Sequence, residues 1–414
     1  MQRGERFQLT IERPAAGGRM IARHEGAIVF VSGAIPGEVV EAEIEKVQRG
    51  TIWATAKQIL EPSPDRVAGA PDGACGGSVL AHIAYRRQRQ IKSDIITDAF
   101  RRLGRIALET ATEVVPSPTD GYRMRARLHV RDGHIGFFRE GTHSLCDAAA
   151  TRQLRDDTIE VLRRLETSLA TAAREAVGDI EVSENIDGSE RALHLELLPN
   201  GDPSRLAGLV QVDGVTGATC AHGDNPRTID LFGSPLVADT IANATLSRHT
   251  RSFFQGNRFL TAAMVEHVLS LIEAAPILDL YAGVGLFSVT AAAAARGHVT
   301  AVEGDRSSAS DLKRNAHHRD ISVRVDAVEN FLARSTDRFA SVIVDPPRTG
   351  LSKEAIAGIV KLQSPRLVYV SCDIATLARD ARVLLDAGYR IEKLRAFDLF
   401  PNTAHVETVI SFAR

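Results

Sequence analysis

Between residues 6 and 61, short apolar runs such as Ala27-Ile28-Val29-Phe30-Val31 and the alternating Val39-Val40-Glu41-Ala42-Glu43-Ile44-Glu45 are separated by Gly17-Gly18, Gly33 and Pro36-Gly37. Alternation with glycine and proline punctuation predicts half-buried strands closing into a small β-barrel. The stretch Pro62-Ser63-Pro64-Asp65, followed by Gly69, Pro71 and Gly73, has linker composition, so this unit is expected to span 1–66 and a new one to start near 75. From Tyr85 to Arg105, Ile91, Ile95, Ile96, Phe100 and Leu103 recur at helical spacing among basic residues, predicting an amphipathic helix. Residues 122–137 and 191–212 read as strands around a helical pattern from about Asp156 to Ala176, a mixed α+β middle domain over 75–250.

From about Ser252 the pattern becomes regular. Helices are predicted over Phe259–Glu273, Leu286–Ala295 and Ser308–His317, alternating with strands over Ile277–Tyr281 and His298–Val302, and further apolar runs end at Asp345 and Cys372. Strands alternating with helices imply a parallel sheet with crossover helices, so 251–414 is expected to be an α/β domain.

Composition narrows the partners. Lys and Arg total 50 against 52 Asp and Glu, so no molecule-wide field attracts nucleic acid. Between Arg86 and Arg131, however, ten Arg and one Lys stand against five acids, a local net of +6 that could attract phosphates. No run of about 18 apolar residues occurs, and the first thirty residues contain no apolar stretch before a small-residue cleavage site, so a cytoplasmic protein without a membrane partner is expected. Nothing implies an obligate protein partner. Four widely spaced cysteines, Cys75, Cys146, Cys220 and Cys372, fit free thiols in a reducing compartment better than a disulfide framework.

The chemistry concentrates at predicted strand ends. Asp279-Leu280-Tyr281-Ala282-Gly283-Val284-Gly285-Leu286-Phe287 spans a strand-to-helix turn where glycines let the backbone approach a ligand. Ser288 occupies the third glycine position of the dinucleotide fingerprint, so an adenosine ligand without a pyrophosphate fits better than a nicotinamide cofactor. Glu303, about 20 residues on, could accept hydrogen bonds from ribose hydroxyls. Ligands of open α/β sheets bind outside the carboxyl ends of strands, and Gly283, Glu303, Asp345 and Cys372 all fall there. Cys372 reads as a nucleophile beside a substrate clamp, Asp345-Pro346-Pro347-Arg348.

Phe253-Phe254-Gln255-Gly256-Asn257, the 279–287 turn, Asp345-Pro346-Pro347-Arg348-Thr349-Gly350-Leu351, Ser371-Cys372-Asp373 and His405-Val406-Glu407-Thr408 together resemble the RNA 5-methyluridine methyltransferase family over essentially the whole chain. The resemblance implies a Rossmann-like class I S-adenosylmethionine-dependent methyltransferase domain at 251–414, preceded by a TRAM/OB-like barrel and an RNA-binding middle domain. It also implies ribosomal RNA as substrate. By position, Gln255, Tyr281, Gly283, Glu303 and Asp345 would bind the cofactor, Cys372 would be the nucleophile and Glu407 the general base. Many relatives hold an iron-sulfur cluster on four cysteines. Here Cys75 and Cys146 match two of them, while Gly69 and Ser78 stand at the others, so no cluster and no other metal is expected. Three rivals share these features: the same reaction on transfer RNA, a small-molecule methyltransferase, and a silent RNA-binding assembly factor. The basic middle segment argues against the second, and the joint presence of Cys372 and Glu407 against the third.

Overall fold

The computed structural model describes every residue except 1, 173–175, 224–226 and 274. Five strands, β1 (Arg6–Pro14), β2 (Met20–His24), β3 (Ala27–Ser32), β4 (Val39–Gln48) and β5 (Thr51–Glu61), close into a barrel in the order β1-β2-β3-β5-β4. Alternate residues, among them Leu9, Ile11, Val29, Val31, Ala42 and Ala54, fill its interior. The linker is fixed to it by the buried Glu38, which takes the Arg66 guanidinium at 2.6 and 2.7 Å and the backbone N–H of Ser63 at 3.1 Å.

After the linker come α1 (Tyr85–Ala99), β6 (Val114–Val115), β7 (Arg125–Arg131), β8 (His134–Phe138), β9 (Leu145–Asp147), α2 (Asp156–Ala172), β10 (Val177–Glu184), β11 (Arg191–Leu197), the one-turn α3 (Pro203–Leu206), β12 (Gly217–His222), β13 (Ile229–Gly233), β14 (Leu236–Ile241) and β15 (Ala244–His249). Seven of the strands form a sheet in the order β13-β12-β11-β10-β7-β8-β9. Helix α2 covers one face, packing Leu162, Leu165 and Leu169 against Leu128, Ile180 and Leu195. The single strand expected over 122–137 is two, folded back at the turn Asp132-Gly133, a sequence pair that favours two-residue hairpins. The strand expected over 191–212 stops at Leu197, because Pro199 and Pro203 cannot continue a ladder and Asp202 caps α3 by accepting from Ser204 N at 2.9 Å. The helix expected to reach Ala176 is described to Ala172, and 173–175 lie outside the described residues.

The C-terminal part is α4 (Thr261–Leu271), β16 (Ile277–Leu280), α5 (Leu286–Ala293), β17 (Val299–Glu303), α6 (Arg306–Ala316), β18 (Ile321–Val325), α7 (Val328–Arg334), β19 (Ser341–Val344), α8 (Lys353–Leu362), β20 (Arg366–Ser371), α9 (Ile374–Asp386), β21 (Arg390–Phe397) and β22 (Glu407–Ala413). Its sheet runs β18-β17-β16-β19-β20-β22-β21-β6. Strands β16 to β20 are parallel, and β16, β17, β19 and β20 are buried on both faces, which is why they read as largely apolar runs, while β18 lies at the exposed edge. Strand order reverses between β16 and β19, the switch point where such sheets bind ligands.

Three sequence expectations need correction. The segment assigned to the middle domain from α1 to β6 packs on the C-terminal sheet: β6 pairs with β21, and Ile91, Ile95 and Phe100 share a core with Leu377 and Ala381 of α9. An apolar stripe must find an apolar partner, and α2 already covers that face of the middle sheet. The basic run is not one solvated patch. Six of its eleven cations are in ion pairs: Arg87 with Asp65, Lys92 with Asp398, Arg101 and Arg102 with Asp98, Arg125 with Glu181, and Arg127 with Asp179. Lys92 and Asp398 are fully buried, 2.5 Å apart. Finally, Cys75 and Cys146 are joined in a disulfide, leaving Cys220 and Cys372 free. The turn holding Cys75 is drawn alongside the β8–β9 hairpin by Gly76 N donating to Phe138 O at 3.1 Å. Among the described residues no helix is long and apolar enough to cross a membrane.

The middle sheet is tied to the C-terminal domain through Glu184. This buried carboxylate accepts from Arg191 Nε and Arg258 Nη2, each at 2.5 Å, while Arg258 Nη1 also reaches Ile186 O at 2.7 Å. Removing one partner of such a network leaves buried charge uncompensated. Glu184→Ala, which strands both guanidinium groups, should therefore cost about 3–5 kcal/mol in urea unfolding, and Glu184→Gln less. A loss within error would mean the network is replaced by water.

Candidate active site

The turn after β16 is left-handed three times, at Tyr281 (φ 60°), Gly283 (φ 57°) and Gly285 (φ 98°). At Gly285 a Cβ would approach Val289 Cγ2 to 2.7 Å and Leu312 Cδ1 to 2.8 Å, so glycine permits both the turn and the packing of α5. At Gly283 a Cβ would meet nothing within 4 Å, because the backbone there opens onto a cavity. Gly283 N donates to Glu303 Oε2 at 2.7 Å and Asp305 N to Glu303 Oε1 at 2.6 Å, which anchors the Glu303 carboxylate at the end of β17 with lone pairs to spare. Beneath the turn, Asp279 is fully buried. Its Oδ2 accepts from Ser288 N at 2.9 Å, its Oδ1 has no partner among the described residues, and burial pushes its carboxyl up to about 7. Sequence reasoning quoted Asp279 within the motif without giving it a role. The signal was an acid inside an otherwise apolar strand.

The second half of the site comes from β19, β20 and β22. Strand β22 runs antiparallel to β20 with Ser371 opposite Thr408, so one step beyond the last pair Cys372 comes beside Glu407. Asp345 leaves the end of β19, and Gln255 Nε2 lies 3.5 Å from its Oδ2. The loop that carries Asp345 and Arg348 is held by Asp380, which accepts from Leu351 N at 2.9 Å, Tyr369 Oη at 2.8 Å and Arg379 Nε at 2.8 Å. All seven residues singled out in the sequence (Gln255, Tyr281, Gly283, Glu303, Asp345, Cys372 and Glu407) line one cavity of about 1040 Å³. Tyr281 lines the cavity too, and burial and the neighbouring Glu329 carboxylate raise its hydroxyl pKa.

Burial dominates the electrostatics. It raises Cys372 to about 11, with the Glu407 charge adding to the rise and the Arg348 guanidinium opposing it. Burial also raises Glu407 to about 7, again opposed by Arg348. Asp345 lies well above the usual carboxylate range, first through burial and then through the neighbouring Glu407 and Asp279. Arg348 acts on both Cys372 and Glu407, a role its place in the Asp-Pro-Pro-Arg run did not disclose.

An anchored carboxylate for ribose, a backbone opening at Gly283 and an apolar wall of Phe254 and Phe287 suit an adenosine-bearing ligand. The four-iron cluster of relatives does not fit. Cys75 and Cys146 are bonded to each other, Ser78 and Gly69 offer no thiolate, and no group of three or more metal-ligating side chains occurs among the described residues. The doubly wound sheet with this turn defines a class I S-adenosylmethionine-dependent methyltransferase.

Comparison with known proteins narrows the class. Residues 241–414 match the model of the tRNA (uracil-5-)-methyltransferase family, and residues 1–57 that of the TRAM domain. The 23S rRNA (uracil(1939)-C(5))-methyltransferase RlmD of Pseudomonas putida is 31% identical over 99% of this chain and 94% of its own length. The same enzyme of Alkalilimnicola ehrlichii is 32% identical over 99% and 97%. The crystal structure of the Pyrococcus abyssi tRNA (uracil-54, C5)-methyltransferase in complex with S-adenosyl-L-homocysteine matches with a TM-score of 0.79 at 25% identity, covering 98% of this chain and 99% of that one. The chain belongs to the RNA (uracil-5) methyltransferase family.

Two pH dependences follow from these shifts. Alkylation of Cys372 by iodoacetamide in the ligand-free protein should be slow at pH 7 and quicken up to about 11, and Glu407→Gln, which removes the repelling carboxylate, should speed it at pH 8–9. Mass spectrometry of the Cys372 peptide reads both, and a plateau below pH 8 contradicts the burial argument. Asp279, raised to about 7, contributes stability that is present below the usual carboxylate pKa of about 3.9 and lost as pH rises through 7. Asp279→Asn should therefore flatten the stability profile between pH 4 and 8, measured by thermal unfolding.

Proposed function

We propose that the protein transfers a methyl group from S-adenosylmethionine to carbon 5 of a uridine in ribosomal RNA, through a covalent bond between Cys372 and the uracil. The observation that carries this reading is the meeting of Cys372 and Glu407 in the cavity that the Gly283 turn opens onto. Carbon 5 of uracil is a weak nucleophile. The Cys372 thiolate adds to carbon 6, forming the S–C6 bond and moving the ring π pair into an enolate on O4. Carbon 5 then takes the methyl group as the sulfonium S–CH3 bond breaks. Glu407 removes the carbon 5 proton, the C5=C6 bond re-forms and the Cys372 sulfur leaves as thiolate. A carboxylate raised to about 7 suits a base that must take a proton near neutral pH and release it afterwards.

The Cys372 thiol must lose its proton first. The proton goes to solvent; Arg348 favours that loss, while the Glu407 carboxylate, kept free for the later carbon 5 proton, opposes it. Glu303 would hold ribose hydroxyls, Gly283 and Tyr281 would flank the adenosine, and Gln255 and Asp345 would complete the cofactor site, all of them lining the one cavity. A protonated Asp345 can also donate to the uracil edge. A paired uracil is out of reach in a helix, so the target lies in a loop or is extruded at a few kcal/mol. The barrel 1–66 and middle domain 75–250 would hold the surrounding RNA. On the barrel, the Phe30–Trp53 stack, with Arg19 and Lys46 within 5.2 Å of the Trp53 ring, suits such a contact.

Ribosomal RNA is favoured by the named activity of the relatives in Pseudomonas and Alkalilimnicola. Transfer RNA is the second reading, because the structure from Pyrococcus abyssi covers nearly the whole chain. Incubation with methyl-labelled S-adenosylmethionine and unmodified ribosomal or transfer RNA, followed by nucleoside analysis, separates them. Label is expected in 5-methyluridine of ribosomal RNA; label in transfer RNA alone reverses the assignment. Cys372→Ala should abolish transfer, and Glu407→Gln should slow turnover by about 10²–10⁴-fold and accumulate a protein–RNA adduct visible on a denaturing gel. Full turnover by Cys372→Ala would sink the covalent route.

A further inference from the structure

On β7, Arg125, Arg127, His129 and Arg131 share one side of the strand, while Ala126, Leu128 and Val130 enter the core under α2. The strand starts at the active site: Met124 N donates to Gly256 O at 2.9 Å and Arg123 bridges to Asn257, both next to Gln255 in the cavity wall. From there it runs outward with same-side residues about every 6.7 Å, so Arg125 and Arg127 stand about one phosphate step of an extended single strand apart, and Arg127 and Arg131 about two. Along it the Arg125 side chain is 25% exposed, Arg127 55% and His129 22%. Each guanidinium is braced rather than consumed. Arg125 reaches Glu181 at 3.0 Å and Arg127 reaches Asp179 at 2.6 Å, and each keeps donors free for a second acceptor.

The outer end of β7 carries rings. His129 stacks on Phe138 with centroids 3.5 Å apart and planes at 4°, exposed His143 meets Phe138 edge-on at 5.4 Å, and the Arg131 guanidinium lies 5.2 Å from the same ring. Beside them a groove of about 520 Å³ is bounded by Arg127, Arg131, Asp179 and Glu196. A line of guanidinium groups leading to a half-buried aromatic cluster with His143 exposed at its edge combines the two components that bind single-stranded nucleic acid with little regard to sequence.

We propose that β7 is a track for the unpaired RNA flanking the target uridine, with Arg125, Arg127 and Arg131 taking phosphates along it and the His129–Phe138–His143 cluster stacking a base. The track rests on the reading of RNA as substrate and on continuity with the catalytic cavity. It turns part of the basic run from a general attractant into a directional guide, and it predicts that RNA lacking single-stranded flanks is the poorer substrate.

The test is a double variant, Arg127→Glu/Arg131→Glu, beside the milder Phe138→Leu. Binding is read with a fluorescent oligouridylate over a salt series. Turnover is read on two RNAs, one with single-stranded flanks and one trimmed to the target loop. S-adenosylhomocysteine binding serves as the control for folding. The double variant should weaken oligouridylate binding about tenfold and make the plot of log affinity against log salt shallower by about 1.4, two phosphates at about 0.7 each. On the flanked RNA its KM should rise with kcat nearly unchanged, and on the trimmed RNA it should match the parent. Phe138→Leu should lower affinity without changing the slope. An unchanged slope and KM on the flanked RNA overturns the track, and so does an equal loss on both RNAs, which would give these residues to the catalytic pocket. If the parent methylates neither RNA yet binds oligouridylate with the expected slope difference, the substrate reading fails while the track stands.

Discussion

Strand β22 enters the sheet antiparallel, between β20 and β21, and its register decides which side chain faces Cys372. Every residue of β22 is buried, so a slip by one position would turn its whole apolar set the wrong way. The register is thus held by the core, and Glu407 stands beside Cys372 as a by-product of packing. Around that pair the rest is arranged: the Asp345 loop pinned by Asp380, the Gln255 loop pinned through Glu184 and Arg258, and the glycine turn pinned by Glu303.

The site is loaded with protons when empty. Three carboxyl groups, Asp279, Asp345 and Glu407, are all pushed upward by burial, and Arg348 is the cation that opposes the rise at Glu407 and Cys372. With the thiol raised to about 11, Cys372 is held protonated at neutral pH. A thiol kept protonated is protected from stray oxidation and alkylation, because the thiolate is the reactive form. A cation brought beside it changes the local charge in the direction that releases the proton.

Much of this was readable in the amino-acid order, for identifiable reasons. The barrel and the parallel sheet announce themselves through periods set by backbone geometry, and ligand-binding residues fall at strand ends because open α/β sheets leave their crevice there. What local pattern does not encode is the identity of a distant partner. The stripe of Ile91, Ile95 and Phe100 reads as a core face, yet nothing in it says that the core belongs to α9, nearly 300 residues later. Charge counting likewise saw eleven cations and missed that Lys92 would be buried against Asp398. The Cys75–Cys146 bond escaped for the same reason: spacing along the chain says little about the approach of a turn to a hairpin.

The loop between β21 and β22 shows what such distant partnerships entail. Lys92 grips Asp398 and the Phe400 carbonyl, and Gln88 exchanges two hydrogen bonds with Asn402, so a helix made early in synthesis clamps the segment that delivers Glu407. On the ribosome α1 emerges with its apolar stripe and a lysine destined for the interior, and must wait for nearly the entire remaining chain before either is sheltered. Contacts this far apart in sequence raise the contact order, which slows folding and leaves the apolar stripe of α1 open to aggregation until α9 and the β21–β22 loop have docked on it.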